Sequence, residues 1–221
     1  MPDLYILTGS NGAGKSTTGQ FYLPKNISNN YEIFDGDKLS MQKHKQIYKI
    51  ETPSSKEAKR RATEWMYEEF ERRVSKAIKN KDHFVYEGHF PEEENWSTPK
   101  RFKSAGYKIH MIFLGLSHPK ISEFRVFERA KIGGHNVPPY EIERNFFGNL
   151  KQLNIHYQFI DELQIIDTSD RDSRVLAIFI NGKVIDALPI KQLPDWFEKE
   201  LLNLFHLVLF KKNPLDFEDT E

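Results

Sequence analysis

Short apolar runs that end in glycine or in acids alternate along this chain with longer stretches of helical period. Leu4-Tyr5-Ile6-Leu7-Thr8 runs straight into a Gly-rich turn and reads as a buried parallel strand. A helix is expected from about Lys15. Tyr31 to Asp35 reads as a second strand, His83 to Tyr86 as a third, Tyr107 to Leu114 as a fourth, and Leu163 to Ile166 as a fifth. Between them, Ala62, Trp65, Met66, Phe70, Val74, Ala77 and Ile78 recur at helical spacing, which predicts a long helix over 55–80, opened by a Ser54-x-x-Glu57 capping box. A short helix is expected to end at Gly106, and two more over 121–131 and 139–153. Alternating strands and helices imply an α/β fold with a five-stranded parallel sheet flanked by helices. Val175–Ile180 and Lys183–Ile185 flank Asn181-Gly182, a type I′ hairpin signal. That hairpin and a helix near 190–205 read as a C-terminal appendage over about 171–210, with an acidic tail at 211–221.

Composition narrows the function classes. The 221 residues fit one domain. Lys plus Arg equals Asp plus Glu at 32 each, which argues against a protein built to coat nucleic acid. There is no cysteine, so disulfides and thiolate metal sites are excluded. The eight histidines show no metal-ligand spacing. No signal peptide and no apolar stretch of membrane-spanning length is visible, and a cytoplasmic protein is the expectation.

The turn after the first strand carries the chemistry. Gly9-Ser10-Asn11-Gly12-Ala13-Gly14-Lys15-Ser16 matches G-x-x-x-x-G-K-[ST] in full, and Thr17 follows. Chance would place such a match in roughly one chain in a hundred of this length. Glycines let backbone N–H groups turn towards phosphates, Lys15 reaches the β- and γ-phosphates, and the Ser16 hydroxyl ligates Mg²⁺. The positive N-terminus of a following helix favours the same anion. Residues 9–17 are therefore the expected nucleotide-binding loop. An ABC-type ATPase would also need a Leu-Ser-Gly-Gly-Gln-like signature and an apolar run ending in two acids, and neither is present. A GTPase would need Asn-Lys-x-Asp, and Asn80-Lys81-Asp82 lacks the spacer.

Ligands of parallel sheets bind at the carboxyl ends of strands, where Asp35, Asp37 and Glu87 fall. A phosphotransferase needs a carboxylate to take the proton of the attacking hydroxyl. Asp37 is the expected base, and Glu87 and Asp35 the expected substrate-side or metal-side acids. The plainer reading of such acids is helix capping. Arg125 and Arg129, four apart, share a helix face and suit charge developing on a transferred phosphoryl group. The plainer reading there is a solvated helix face.

The segment Arg125-Val126…Arg129…Gly133-Gly134-His135-Asn136-Val137-Pro138, with Ile142-Glu143-Arg144-Asn145-Phe146 after it, resembles the zeta-toxin family of P-loop kinases. Relatives often carry two arginines where this chain has Arg144-Asn145. Asp35-Gly36-Asp37 resembles the family's Asn-x-Asp, which places the catalytic carboxylate on Asp37. Tyr86-Glu87-Gly88-His89 stands where the family has Glu-Thr-Thr, and only the Glu matches. The resemblance covers roughly 4–170 and implies a P-loop kinase with a helical lid over about 117–150. It implies ATP or GTP as donor, Mg²⁺, and a sugar-nucleotide hydroxyl such as that of UDP-N-acetylglucosamine as acceptor. His135 and Arg144 become expected substrate contacts, and Arg125 and Arg129 catalytic ones with Lys15 and Asp37. An antitoxin partner is a family possibility that nothing in the chain displays.

Residues 38–61 hold eight Lys or Arg against Glu51 and Glu57. Beside the acceptor pocket this run would favour an anionic acceptor; as a solvated linker and helix face it would mean nothing. Two rival classes stay open: a P-loop ATPase or nucleotide-dependent switch, which needs no acceptor, and a binding module without turnover.

Overall fold

The structure is a computed structural model that describes residues 1–131, 134 and 137–211. Along the chain run β1 (Asp3–Gly9), α1 (Lys25–Ser28), α2 (Gly36–Ile47), α3 (Ser55–Asn80), β2 (Phe84–Glu87), α4 (Ser97–Ser104) and β3 (Lys108–Gly115). Then follow α5 (Pro119–Lys131), α6 (Pro139–His156), β4 (Glu162–Asp167), β5 (Arg174–Ile180), β6 (Lys183–Ala187), α7 (Asp195–Glu200) and α8 (Leu202–Lys211). One six-stranded sheet has the order β2-β1-β3-β4-β5-β6. Its first four strands are parallel, and β5 and β6 are antiparallel. β1 lies between β2 and β3, buried on both faces, so its carboxyl end opens at the crevice where strand order reverses.

The long helix α3 begins and ends where its sequence dictates. Ser54 Oγ accepts from the Glu57 amide at 3.3 Å, and Lys81 closes the last turn in the left-handed region at φ 56°. Ala58, Ala62, Val74 and Ala77 form its buried stripe. The β5–β6 turn places Asn181 and Gly182 at φ 49° and 73°, the two positive angles a type I′ hairpin requires.

Three expectations change. The strand expected at 31–35 shrinks to a single bridge: the Phe34 amide donates to Val85 and its carbonyl accepts from Glu87, both at 2.9 Å. Asp35 ends it by capping α2, its Oδ1 accepting from the Lys38 amide at 2.9 Å. The helix expected from Lys15 is a turn followed by a 3₁₀ segment over Gly19–Tyr22. Thr17, Thr18 and Gly19 are poor helix formers, and Pro24 stops continuation. The hairpin is no appendage: β5 pairs with β4 along Glu162–Asp167 and extends the main sheet. An open edge at β4 would leave apolar Leu163, Ile165 and Ile166 half uncovered, and Leu176, Ala177 and Phe179 pack in the same core instead. The acidic tail beyond Lys211 lies outside the described residues.

The C-terminal helices complete that core. Trp196, Phe197, Leu201, Leu204 and Val208 are buried in the cluster that holds β1 and β3. A Cβ on Gly115 would sit 2.2 Å from the Trp196 ring. Gly115→Ala therefore lowers stability by about 1–3 kcal/mol, the usual cost of overpacking. A thermal melt shows the loss, and Gly115→Ala with Trp196→Leu recovers part of it.

Candidate active site

β1 ends at Gly9, where φ is 134° and a Cβ would lie 2.1 Å from the Leu114 carbonyl oxygen. Only glycine lets the chain leave β1 beside β3 there. From that point four carbonyls of the loop are held by side chains from outside it. Asn11 O accepts from the Ser122 hydroxyl. Gly12 O accepts from Arg125 at 3.3 Å. Ala13 O accepts from Thr168 Oγ1 at 2.9 Å, and Gly9 O from Asn149 Nδ2 at 3.5 Å. The amides of Gly12, Gly14, Lys15 and Ser16 donate to no group among the described residues. Ala13 stays within the loop, its amide on Ser10 O at 3.3 Å, and exposed Thr17 turns its hydroxyl to Gly14 O at 3.4 Å. Four free amides around one concavity make an anion site.

Lys15 donates to the carbonyls of Gly9 at 3.2 Å and Ser10 at 3.0 Å. Its ammonium is drawn under the loop, and burial lowers its pKa to about 8 against the opposing pull of Glu87 and Asp37. His89 Nε2 lies 3.3 Å from Lys15 Nζ and 3.5 Å from Asn11 Nδ2. Burial first, then the Lys15 charge, holds His89 well below the usual histidine range, so its ring is neutral and accepts at Nε2. Its buried Nδ1 meets no group in hydrogen-bonding geometry among the described residues.

Ser16 brings the acids together. Its hydroxyl lies 2.9 Å from Glu87 Oε2 and 3.3 Å from Asp35 Oδ2. Burial and the Asp35 charge raise the Glu87 pKa to about 7. Asp37 is exposed in the first turn of α2. No group of three or more His, Cys, Asp or Glu fit for a metal occurs among the described residues.

Two cavities meet here. One, of about 370 Å³, follows the loop from Asn11 to Thr17 and includes Lys38, Arg125, Arg129 and Gly134. The other, of about 400 Å³, opens between α2, α3, β2 and the segment 94–98. Both are lined by Lys15, Asp35, Asp37, Glu87 and His89.

Most of the expected residues thus converge. Lys15, Ser16, Asp35, Asp37 and Glu87 form the junction, with Arg125 and Arg129 on the loop side. Arg125 also donates to Ser169 O at 2.9 Å, so it clamps the loop to the end of β4. Arg144 is exposed on α6 and lines neither cavity, though its charge is felt at His89. Beside it, buried Asn145 donates to Asn11 Oδ1 at 2.9 Å. His135 lies outside the described residues. Of the eight basic residues at 38–61, only Lys38 lines either cavity; Arg60 and Arg61 pair with Glu57, Glu64 and Glu51 at the surface. His89, Ser122, Asn145, Asn149 and Thr168 escaped the sequence reading as site residues. A histidine two after Glu87 was the one usable signal.

Solved structures share this fold. A chain of the AvrRxo1-ORF1:AvrRxo1-ORF2 complex with sulphate ions matches at a TM-score of 0.67 and 15% identity, over 91% of this chain and 64% of its own. The same complex with ATP gives the same values. A chain from the PezAT toxin–antitoxin system of Streptococcus pneumoniae matches at 0.55 and 21% identity, over 80% of this chain and 72% of its own. The chain thus spans a little under two thirds of the AvrRxo1 chains. No curated protein matches the sequence. The Zeta toxin family profile matches residues 1–178, and with the loop, Asp37 and the Arg125–Pro138 segment all inside that span, the chain belongs to the zeta toxin family.

Proposed function

We propose that the protein transfers the γ-phosphoryl group of a nucleoside triphosphate to a hydroxyl of a small molecule. The observation that carries this is the shared wall. An anion-binding loop and a second cavity of similar volume meet at one lysine, three carboxylates and one neutral histidine. A hydrolase or a nucleotide switch needs no such second cavity at the carboxylates.

In the proposed reaction the loop amides and Lys15 hold the β- and γ-phosphates. Lys15 leaves the Gly9 and Ser10 carbonyls for phosphate oxygens, which restores the charge that burial weakens. The acceptor oxygen attacks phosphorus in line, its proton passes to Asp37, the bond from the γ-phosphorus to its bridging oxygen breaks, and the nucleoside diphosphate leaves. Arg129 and Arg125 face the loop-side cavity, where their charge offsets that of the phosphates. ATP is the first donor to test, because the AvrRxo1 complex holds ATP on the same fold; GTP is the alternative.

Mg²⁺ fits the oxygen set of Ser16, Asp35 and Glu87, a hard cation completed by phosphates and water. Two carboxylates face one hydroxyl there, one of them with a raised pKa, and a divalent cation would relieve their repulsion. When bound, the ion screens charge between donor and protein. The family resemblance makes UDP-N-acetylglucosamine the first nucleotide-sugar acceptor to test. A cytoplasmic setting and an antitoxin partner go with the same reading; the PezAT system pairs a toxin with an antitoxin.

Asp37→Asn should lower the turnover of label from ATP into acceptor by at least about a hundredfold, with ATP affinity unchanged by calorimetry. Near wild-type turnover would remove Asp37 as the base.

Glu87 supplies a pH test. Its folded pKa is raised, so the folded state keeps a proton that the unfolded chain has lost. That stability is complete below the ordinary value of 4.5 and is lost as pH rises through about 7. Without nucleotide or metal, Glu87→Gln should raise the melting temperature at pH 8 by about 5 °C and leave it nearly unchanged at pH 4.5. Added Mg²⁺ should stabilise the wild type at pH 8 more than the variant. Equal pH slopes for both proteins would contradict the assignment.

A further inference from the structure

Asn11, His89 and Asn145 join the loop to α6 through a chain of hydrogen bonds whose direction one group dictates. Lys15 ends in an ammonium, which has three N–H donors and nothing that accepts. Gly9 O takes one at 3.2 Å and Ser10 O a second at 3.0 Å, and His89 Nε2 lies 3.3 Å away to take the third. That ring nitrogen therefore carries a lone pair, and the ring proton sits on Nδ1. The Gly9 carbonyl near the ring already accepts from Lys15 and from Asn149 Nδ2, so both of its lone pairs are taken.

The direction set at Lys15 propagates. Asn11 has to present Nδ2 to a ring nitrogen that accepts, and does so at 3.5 Å. Its Oδ1 then faces the other way and accepts from Asn145 Nδ2 at 2.9 Å. Both asparagines are buried, so neither amide can trade its partner for bulk water. One turn along α6, Asn149 Oδ1 accepts from the Phe90 amide at 2.5 Å, which pins the backbone next to His89. Asn149 Nδ2 also donates to the Asn145 carbonyl. Helix α6 thus holds His89 twice, through the neighbouring backbone and through Asn11. His89 itself lines both cavities at their junction.

We propose that His89 is a positioning residue, a lone-pair pivot on which Lys15 turns from the loop carbonyls to the phosphates, and that Asn145 sets its tautomer through Asn11. This rests on the phosphotransfer reading for the place of the phosphates. Phosphate oxygens replace Gly9 O and Ser10 O, while the third N–H of Lys15 stays on His89. The ammonium then moves about one fixed contact and meets the phosphates already oriented. Asn145 acts two hydrogen bonds away, and only by deciding which end of the Asn11 amide faces the ring.

Nitrogen NMR of the histidine rings in the full chain at neutral pH tests the tautomer, with His89→Gln identifying the signals. The wild type should show Nδ1 protonated and Nε2 bare. In Asn145→Asp the carboxylate only accepts, so Asn11 turns its amide nitrogen to it and its oxygen to His89, and Nε2 should gain a proton. Nε2 protonated in the wild type, or bare in Asn145→Asp, overturns the inference. Turnover of γ-labelled ATP with Mg²⁺ and UDP-N-acetylglucosamine, counted as all label leaving ATP, tests the role. His89→Leu and Asn145→Asp should each lower the rate at saturating ATP by at least about tenfold, the usual worth of a hydrogen bond to a charged group. His89→Gln puts an amide oxygen in the place of Nε2, keeps that bond, and should stay within about threefold of the wild type. An unchanged rate in His89→Leu, or equal losses in Leu and Gln variants that both melt as folded proteins, overturns the pivot. Label found in water alone removes the phosphotransfer reading, and the ranking of the variants still decides the role of His89.

Discussion

Every amide that a phosphate-binding loop turns inward turns a carbonyl outward, and a buried carbonyl without a donor costs more than the loop can recover. The surroundings of residues 9–14 answer that constraint. Ser122 and Arg125 come from one helix, Asn149 from the next, and Thr168 from the end of a strand, each donating to a different carbonyl. The loop is therefore preformed by three separate elements. An arginine that pattern matching assigns to phosphate alone is also part of this scaffold, since Arg125 bridges Gly12 and Ser169. Binding energy then goes to the anion, with little spent on ordering the loop.

The same loop sets the electrostatics of the junction. Lys15 has two carbonyl partners and the ring nitrogen Nε2 of a neutral histidine, so it is held close to where phosphates would lie. Asp35 and Glu87 converge on Ser16 from the other side. Burial moves Lys15 and Glu87 towards their neutral forms, and each partly restrains the other. Such a site is electrostatically balanced as it stands. Paired opposing shifts of this kind are common where proton or phosphoryl transfer takes place.

The features legible in the sequence were those with local causes. Gly9–Ser16, the Ser54 cap, the stripe of α3 and the Asn181-Gly182 turn each fix their geometry within a few residues. What escaped was set at a distance. Nothing near Ser122 or Asn149 announces that a carbonyl more than a hundred residues earlier needs them. Phe34 has strand character, but its strand is cut short by the cap that Asp35 supplies to α2. The basic run at 38–61 suggested an anion because sequence distance stood in for spatial distance; α2 and α3 carry most of those charges away from the cleft, and two of them, Arg60 and Arg61, pair with nearby glutamates.

The segment past the family match bears on the site through a short chain of contacts. Trp196 of α7 fills the space that Gly115 leaves open at the end of β3. The Gly115 carbonyl accepts from the Thr168 amide at 2.9 Å and from its hydroxyl at 3.0 Å. That same hydroxyl lies 2.9 Å from Ala13 O in the loop. Since one hydroxyl has a single proton, Thr168 shares it between the strand end and the loop, and its position depends on both. Trp196 thus backs the strand end from which the loop is suspended. Residues that carry no phosphate-binding motif set the precision with which the motif is held.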